Sequence, residues 1–252
     1  MIPAIPAIEW AVTKLDEVGS TQQVARERAA KGAAEGTTIV AKAQSAGTGR
    51  MGRAWVSPVG GLYMSFILRP GELLRPELVT LITAAAVVDG IKDATGLAPK
   101  IRWPNDIAMG GRKLGGVIAE AASHGTVVDW IVVGVGVNCN APPSKMGGLE
   151  AESTSIAREL GEEVEIPDVM RSILDSFSAL YERWQSGEDM QEEWSSKVGT
   201  IGKEVSIKLK TGENPFSCVA EDIDAQGNLV VILEGETVAV YAEDLERLRE
   251  RA

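Results

Sequence analysis

Three glycines and two arginines stand close together in the run Gln44-Ser45-Ala46-Gly47-Thr48-Gly49-Arg50-Met51-Gly52-Arg53-Ala54-Trp55. Glycine lets a backbone approach a ligand closely, successive N–H groups form an anion-binding concavity, and guanidinium gives planar, charge-assisted donors. The chemistry such a loop suits is the holding of a phosphate or carboxylate. Gly47-x-Gly49-x-x-Gly52 fits the bare dinucleotide pattern. However, it has no acidic residue placed about 20 positions on, and a strand rather than a helix follows it. A second concentration is Ile101-Arg102-Trp103-Pro104-Asn105-Asp106, followed across Gly110-Gly111 by Lys113-Leu114-Gly115-Gly116. Glycine weakens a strand, so Gly115-Gly116 within one marks a close backbone approach. Gly134-Val135-Gly136-Val137-Asn138 repeats that signal. Each residue also has a plainer reading. Lys113 suits a solvated position beside a hairpin, Asn105 and Asp106 a turn, Asn138 a strand-end cap, Arg53 the surface and Trp55 the core. Ser20 has the spacing to Gln23 of a helix capping box.

Taken in order, these segments resemble the biotin protein ligases. That family carries a Gly-Arg loop ending in Arg-x-Trp, a Lys-Trp-Pro-Asn-Asp motif, a lysine seven residues after the aspartate, a Gly-x-Gly-x-Asn strand and an opening Ser-Thr pair. The last is matched by Ser20-Thr21. The motifs span roughly residues 15 to 140. The resemblance implies a class II synthetase-like catalytic domain followed by a small SH3-like β-barrel, with biotin and ATP as substrates, Mg²⁺, and formation of biotinyl-5′-AMP. It implies Lys113, Arg50 and Asp106 as catalytic residues, with Asp106 also credited with the metal. Ser20, Thr21, Gln44, Gly47, Arg50, Lys113, Gly116, Gly134 and Gly136 are implied for biotin. Arg53, Trp55, Arg102, Asn105 and Asn138 are implied for ATP. The implied acceptor is a lysine of a biotin carboxyl carrier protein, and a homodimer is a further expectation. The chain departs from the pattern at Thr48 and Met51, where many or some members carry arginine, and at Arg102, where lysine is usual. A lipoate-type ligase and a non-catalytic binding module are the alternatives. The bifunctional ligase-repressor type, which adds a DNA-binding domain, is not expected, because only 19 residues precede Ser20.

Composition leaves a cytoplasmic location as the default expectation. No apolar run reaches the ~20 residues of a membrane span, and Met1-Ile2-Pro3-Ala4-Ile5-Pro6 lacks the basic start of a signal peptide. The net charge of −11 opposes binding to nucleic acid. From Gly36 to Ala119, ten basic residues face five acidic ones, a local balance of +5 that leaves −16 for the rest. A basic segment in an acidic chain suits a focused anion site. Cys139 and Cys218 have no metal-site or disulfide spacing, and His124, the one histidine, sits in a turn. A Ser-His-Asp triad is therefore not expected.

The elements that must position these residues follow from turn signals and periodicity. Helices are expected from Ser20 to Ala30, Pro76 to Thr95, Pro167 to Gln185 and Asp189 to Lys197. Strands are expected over 37–43, 62–68, 100–103, 106–109, 113–122 and 127–138. This is an α+β pattern, a mainly antiparallel or mixed sheet with helices on one side. After Lys197 the texture becomes short alternating stretches, 204–210, 216–222, 229–233 and 237–241, parted by glycine turns. We therefore expect residues 1–197 to form the catalytic domain and 198–252 a small barrel.

Overall fold

The structure, a computed structural model, describes residues 8–70, 78–145, 151–212 and 214–251. Along the chain run β1 (Ala11–Val18), α1 (Thr21–Ala30), β2 (Thr37–Gln44), β3 (Leu62–Leu68), α2 (Leu78–Thr95), β4 (Lys100–Arg102), β5 (Asp106–Met109), β6 (Arg112–His124) and β7 (Val127–Val137). Helices α3 (Ile156–Leu160), α4 (Ile166–Gln185) and α5 (Gln191–Ser195) follow. The chain ends with β8 (Glu204–Leu209), β9 (Phe216–Ile223), β10 (Leu229–Leu233), β11 (Glu236–Val240) and β12 (Leu245–Glu250). The first seven strands make one sheet in the order β1-β2-β3-β7-β6-β5-β4, with β1 parallel to β2 and every other pair antiparallel. It is the mixed sheet expected.

Strand β3, Leu-Tyr-Met-Ser-Phe-Ile-Leu, is buried at all seven positions, so it is covered on both faces. Met64, Phe66 and Leu68 look into the large core with α2 and α4, whereas Ile67 packs with Ala25, Ala29, Ile39 and Val132 beneath α1. The expectation of helices on one side is thus corrected. Alanines at positions 25 and 29 let a short polar helix lie close against the second face. On the first face α4 buries Ile173, Leu174, Phe177, Leu180 and Tyr181. Gly90 of α2 meets the α4 backbone so closely that a Cβ there would stand 2.5 Å from the Ile173 Cα.

Helix α1 begins after Ser20, as its sequence predicts, but not by the predicted cap. The Ser20 side chain makes no capping bond, and Gln23 turns outward to Glu27 at 3.0 Å. The acceptor comes from β2 instead, where Gln44 Oε1 takes the Thr21 N–H at 2.8 Å. The expected start of α2 at Pro76 lies outside the described residues, and its end at Gly96, with φ +76, is as predicted. Among the described residues no helix is long and apolar enough to cross a membrane.

The last five strands form an antiparallel sheet in the order β11-β10-β9-β8-β12. Its outer strands do not pair with each other, so it is an open version of the expected small barrel. It shares a core with the first sheet: Val205, Ile207, Ala220, Leu229 and Leu245 belong to the same apolar cluster as Ile101, Trp103 and Ile107. Cys139 and Cys218 are buried and free, and burial pushes the Cys139 thiol up to about 12.

Candidate active site

Gly110 and Gly111, at φ +55 and +75, close β5 onto β6 in a two-residue hairpin that suits the strand twist. This turn, with a register shift between Ile107 and Ala108, brings Lys113 back beside Asp106. Lys113 Nζ stands 2.5 Å from Asp106 Oδ1, and Arg102 Nη2 donates to Asp106 Oδ2 at 3.0 Å. Two cations therefore share one carboxylate and leave the cluster with a net positive charge. All three side chains are between about a quarter and a third exposed, enough for a ligand to reach them. Asn105 fastens the same corner: its carbonyl accepts the Val117 N–H and its side-chain amide donates to the Val117 carbonyl, both at 2.9 Å.

Beside this cluster the sheet has a bare strip made by Gly116 on β6 and Gly136 on β7, paired directly across the ladder. The Trp55 indole lies on it. A Cβ at Gly136 would stand 2.7 Å from Trp55 Cε2 and Nε1, and one at Gly116 3.6 Å from Cζ3. Lys113 Nζ is 5.1 Å from the same ring, within cation–π range. Gly134, the next bare position on β7, faces Gln22 instead; a Cβ there would meet Gln22 Oε1 at 2.6 Å.

At the α1 end of the strip lies a chain of polar groups. The Thr21 hydroxyl lies 2.9 Å from Ser65 Oγ and 3.1 Å from Gln44 Oε1; Gln44 Nε2 donates to Ser57 Oγ at 2.8 Å, and Ser57 donates to the Trp55 carbonyl at 3.0 Å. Gly47 closes against this chain, since a Cβ on it would fall within 3.0 Å of Trp55 O, Ser57 Oγ and Gln44 Nε2. Ser20 is buried next to it. Thr21, Gln44 and Ser20 stand in the family motifs, whereas Ser57, Ser65 and Gln22 do not. Ser65 had a signal, being the one serine among large apolar and aromatic neighbours in β3.

The glycine loop is itself a narrow hairpin, with bridges Gln44 to Ser57 and Thr48 to Ala54 and Met51 at φ +60 in its tip. It leans on the C-terminal sheet. Arg50 Nη2 donates to the carbonyls of Ala242 and, at 2.8 Å, Leu245, and Arg53 Nη2 donates to the Glu246 carbonyl at 2.9 Å. No ion pair of the described residues involves Arg50 or Arg53. Burial, with Arg53 adding to it, holds the Arg50 guanidinium below its usual value. A half-buried cation served by neutral carbonyls is ready for an anion. A groove of about 520 Å³ opens here, lined by Arg50, Trp103, Asn105, Glu120, Asn228 and Glu243.

Trp103 joins the two sheets. Its indole N–H donates to the Gly227 carbonyl at 3.0 Å and its backbone N–H to Thr200 Oγ1 at 3.1 Å. Asn138, at the end of β7, uses its side-chain amide on the Thr154 carbonyl at 2.9 Å, which ties down the segment that flanks Lys113. The structure thus brings Lys113, Asp106, Arg102, Trp55, Gly116 and Gly136 together. Arg50 and Arg53 stand on the C-terminal side of them.

Residues 16–138 match the Biotin/lipoate A/B protein ligase family, and residues 200–243 match the Biotin protein ligase C terminal domain. The chain is 34% identical to the Bifunctional ligase/repressor BirA of Bacillus subtilis, over 92% of this chain and 72% of that one. It is 31% identical to the Biotin--[acetyl-CoA-carboxylase] ligase of Mycobacterium tuberculosis, over 92% and 87%. The chain belongs to the biotin protein ligase family. Among solved structures, the ligase resembles the Aquifex aeolicus biotin protein ligase in complex with biotin and ATP, with TM-score 0.83 and 25% identity over 95% of this chain and 99% of that one. It also resembles the Leishmania major biotin protein ligase in complex with biotinyl-5-AMP, with TM-score 0.61 and 26% identity over 92% and 98%. The two matched regions of the ligase fall on its two sheets, and the first contains every motif from Thr21 to Asn138.

Proposed function

We propose that this ligase activates biotin with ATP and transfers it to a lysine of a biotin carboxyl carrier protein in the cytoplasm. Residues 1–197 supply the catalytic unit and 198–252 the C-terminal one. The observation that carries this reading is the cation–carboxylate–cation set of Lys113, Asp106 and Arg102 beside a bare glycine strip, with two more arginines nearby that form no ion pair among the described residues. In the first step a biotin carboxylate oxygen attacks the α-phosphorus, the bond to the β-phosphate oxygen breaks, and biotinyl-5′-AMP and pyrophosphate form. In the second the acceptor amine attacks the biotinyl carbonyl, AMP leaves and the amide nitrogen gives up a proton. The first step forces two anions together, so its barrier falls where fixed cations meet the developing charge. Lys113 bridges the carboxylate and the α-phosphate. Arg102 neutralises the triphosphate, and Arg50 and Arg53 hold the adenylate phosphate. Asp106 aims Lys113 and then receives the acceptor amine.

Biotin lies along the glycine strip, with Gly47, Gly116, Gly134 and Gly136 allowing the close approach and Ser20, Thr21 and Gln44 meeting its ureido group. Trp55, Asn105 and Asn138 border the nucleotide. Both oxygens of Asp106 are engaged by cations, and no cluster of three His, Cys, Asp or Glu fit to hold a metal occurs among the described residues. The described residues therefore do not build a metal cage, and Mg²⁺ arrives as part of the MgATP substrate, as its preference for phosphate oxygens and water favours. A homodimer is the assembly the resemblance implies, and the acidic balance of the chain favours no role on DNA.

Intact-mass analysis of a carrier domain incubated with the ligase and MgATP, with biotin or lipoate in parallel, tests this reading. One biotin and no lipoate should add to the carrier, and only with ATP. No addition, or addition of lipoate, would overturn it. A second expected result concerns the ureido end. Gln44→Ala removes the acceptor of the Thr21 N–H and the donor to Ser57, so biotin should bind about 10- to 100-fold more weakly by calorimetry, the worth of one or two buried hydrogen bonds. A change of less than twofold would remove Gln44 from the site.

A further inference from the structure

The indole of Trp55 lies where the proposed function puts biotin. Its ring covers Gly136 and reaches Gly116, so closely that a single added carbon on Gly136 would overlap it. A ligand and this ring cannot share the strip. The seat is imperfect for tryptophan in one respect: the ring N–H is buried and has no hydrogen-bond partner among the described residues. Buried indole N–H groups ordinarily find an acceptor, and leaving one unmade is unfavourable. The ring is held by contact with the glycines and by the ammonium of Lys113 above it, not by a directional bond. The backbone that carries it is better fixed: the Trp55 N–H donates to the Gly47 carbonyl at 2.9 Å and Ser57 donates to the Trp55 carbonyl. Beyond it the loop is tied to the C-terminal sheet through neutral carbonyls, by Arg50 and Arg53.

We propose that Trp55 is a displaceable plug of the biotin strip: the indole and biotin compete for the floor formed by Gly116 and Gly136, and biotin is admitted when the ring swings off it. This inference rests on the function proposed above. Leaving the floor takes the ring from beside Lys113 and uncovers its ammonium, still aimed by Asp106, to the biotin carboxylate, so admission and the arming of Lys113 are one event. The apparent affinity of a site that is open for only part of the time is reduced by that fraction. The plug therefore slows the uptake of biotin and raises the concentration at which it fills the site.

The test uses the full chain labelled with 5-fluorotryptophan, whose six tryptophans give distinguishable ¹⁹F resonances, with Trp55→Phe assigning the signal of Trp55. Biotin alone is titrated to saturation, which calorimetry follows in parallel, and stopped-flow association of biotin is compared for wild type and Trp55→Ala. The Trp55 resonance should move in step with biotin occupancy, ahead of any nucleotide. Trp55→Ala should bind biotin roughly tenfold faster if the floor is bare about a tenth of the time in the wild type. Saturation with an unmoved Trp55 resonance, or an unchanged association rate in Trp55→Ala, would overturn the plug while leaving the proposed function standing. Absence of any biotin binding heat would overturn both. The ¹⁹F titration reads the wild-type protein itself, so it decides the matter even where the alanine variant folds poorly.

Discussion

Replacing Lys113 with alanine should lower carrier biotinylation by about 10²–10³-fold, the usual cost of deleting one preorganised group that meets developing charge. The geometry predicts that the loss is chemical and not structural. Lys113 is about one-third exposed, and its partner Asp106 keeps a second cation in Arg102 at 3.0 Å. Removing the ammonium therefore leaves no unpaired buried charge, and stability should change by about 1 kcal/mol or less. Lys113→Arg keeps the charge but replaces a compact point donor with a planar fork on a longer stem, so it should rescue little. Mass spectrometry of the carrier over time, beside a thermal melt, reads both quantities. An alanine variant within a few fold of wild type would take Lys113 out of the reaction. So would a drop in rate that merely follows a large drop in stability.

The largest effect on stability is expected at Trp103. The side chain is 2% exposed and among the largest buried in the protein, and its N–H ends on the Gly227 carbonyl across the seam between the two sheets. Trp103→Ala should cost about 3–5 kcal/mol from lost packing and the cavity left behind. Trp103→Phe keeps most of the apolar contact and loses the hydrogen bond, for about 1–2 kcal/mol. Urea denaturation should show this order in its midpoints. Both variants should also slow biotinylation, because Trp103 stands between Arg102 and Asp106 in the same turn. A Trp103→Ala protein as stable as wild type would mean that the seam is not held here.

The departures of the chain from its family pattern take on definite positions in the fold. Arg102, in place of lysine, reaches Asp106, so the exchange preserves the pairing. Thr48 bridges Ala54 in the narrow loop, and Met51 occupies its tip at φ +60, 46% exposed. Neither adds a charge to the loop, which leaves Arg50 and Arg53 as its cations.

Local rules settled much of this protein from sequence. Gly110-Gly111 specified the β5–β6 hairpin. The apolar run from Leu62 to Leu68 specified β3 to the residue, and the order of glycine and arginine motifs carried the resemblance to the biotin protein ligases. These are properties of a few consecutive residues, whose backbone preferences and turn types act before any distant contact forms. Strand β1 was missed, because an edge strand with mostly exposed or half-exposed side chains has no apolar alternation to show. Helix α3 was missed because five residues are too few to show a period. The Ser20 cap was predicted but not made, because Gln44, 23 positions on from Thr21, offered the better acceptor. The placement of α1 on the second face, the hold of Ala242 and Leu245 on Arg50, the bond from Trp103 to Gly227 and the seat of Trp55 on Gly136 all join residues far apart in the chain. Packing of the whole molecule decides them, since each depends on which surfaces the two sheets and their helices leave facing one another, and no short stretch of sequence encodes that choice.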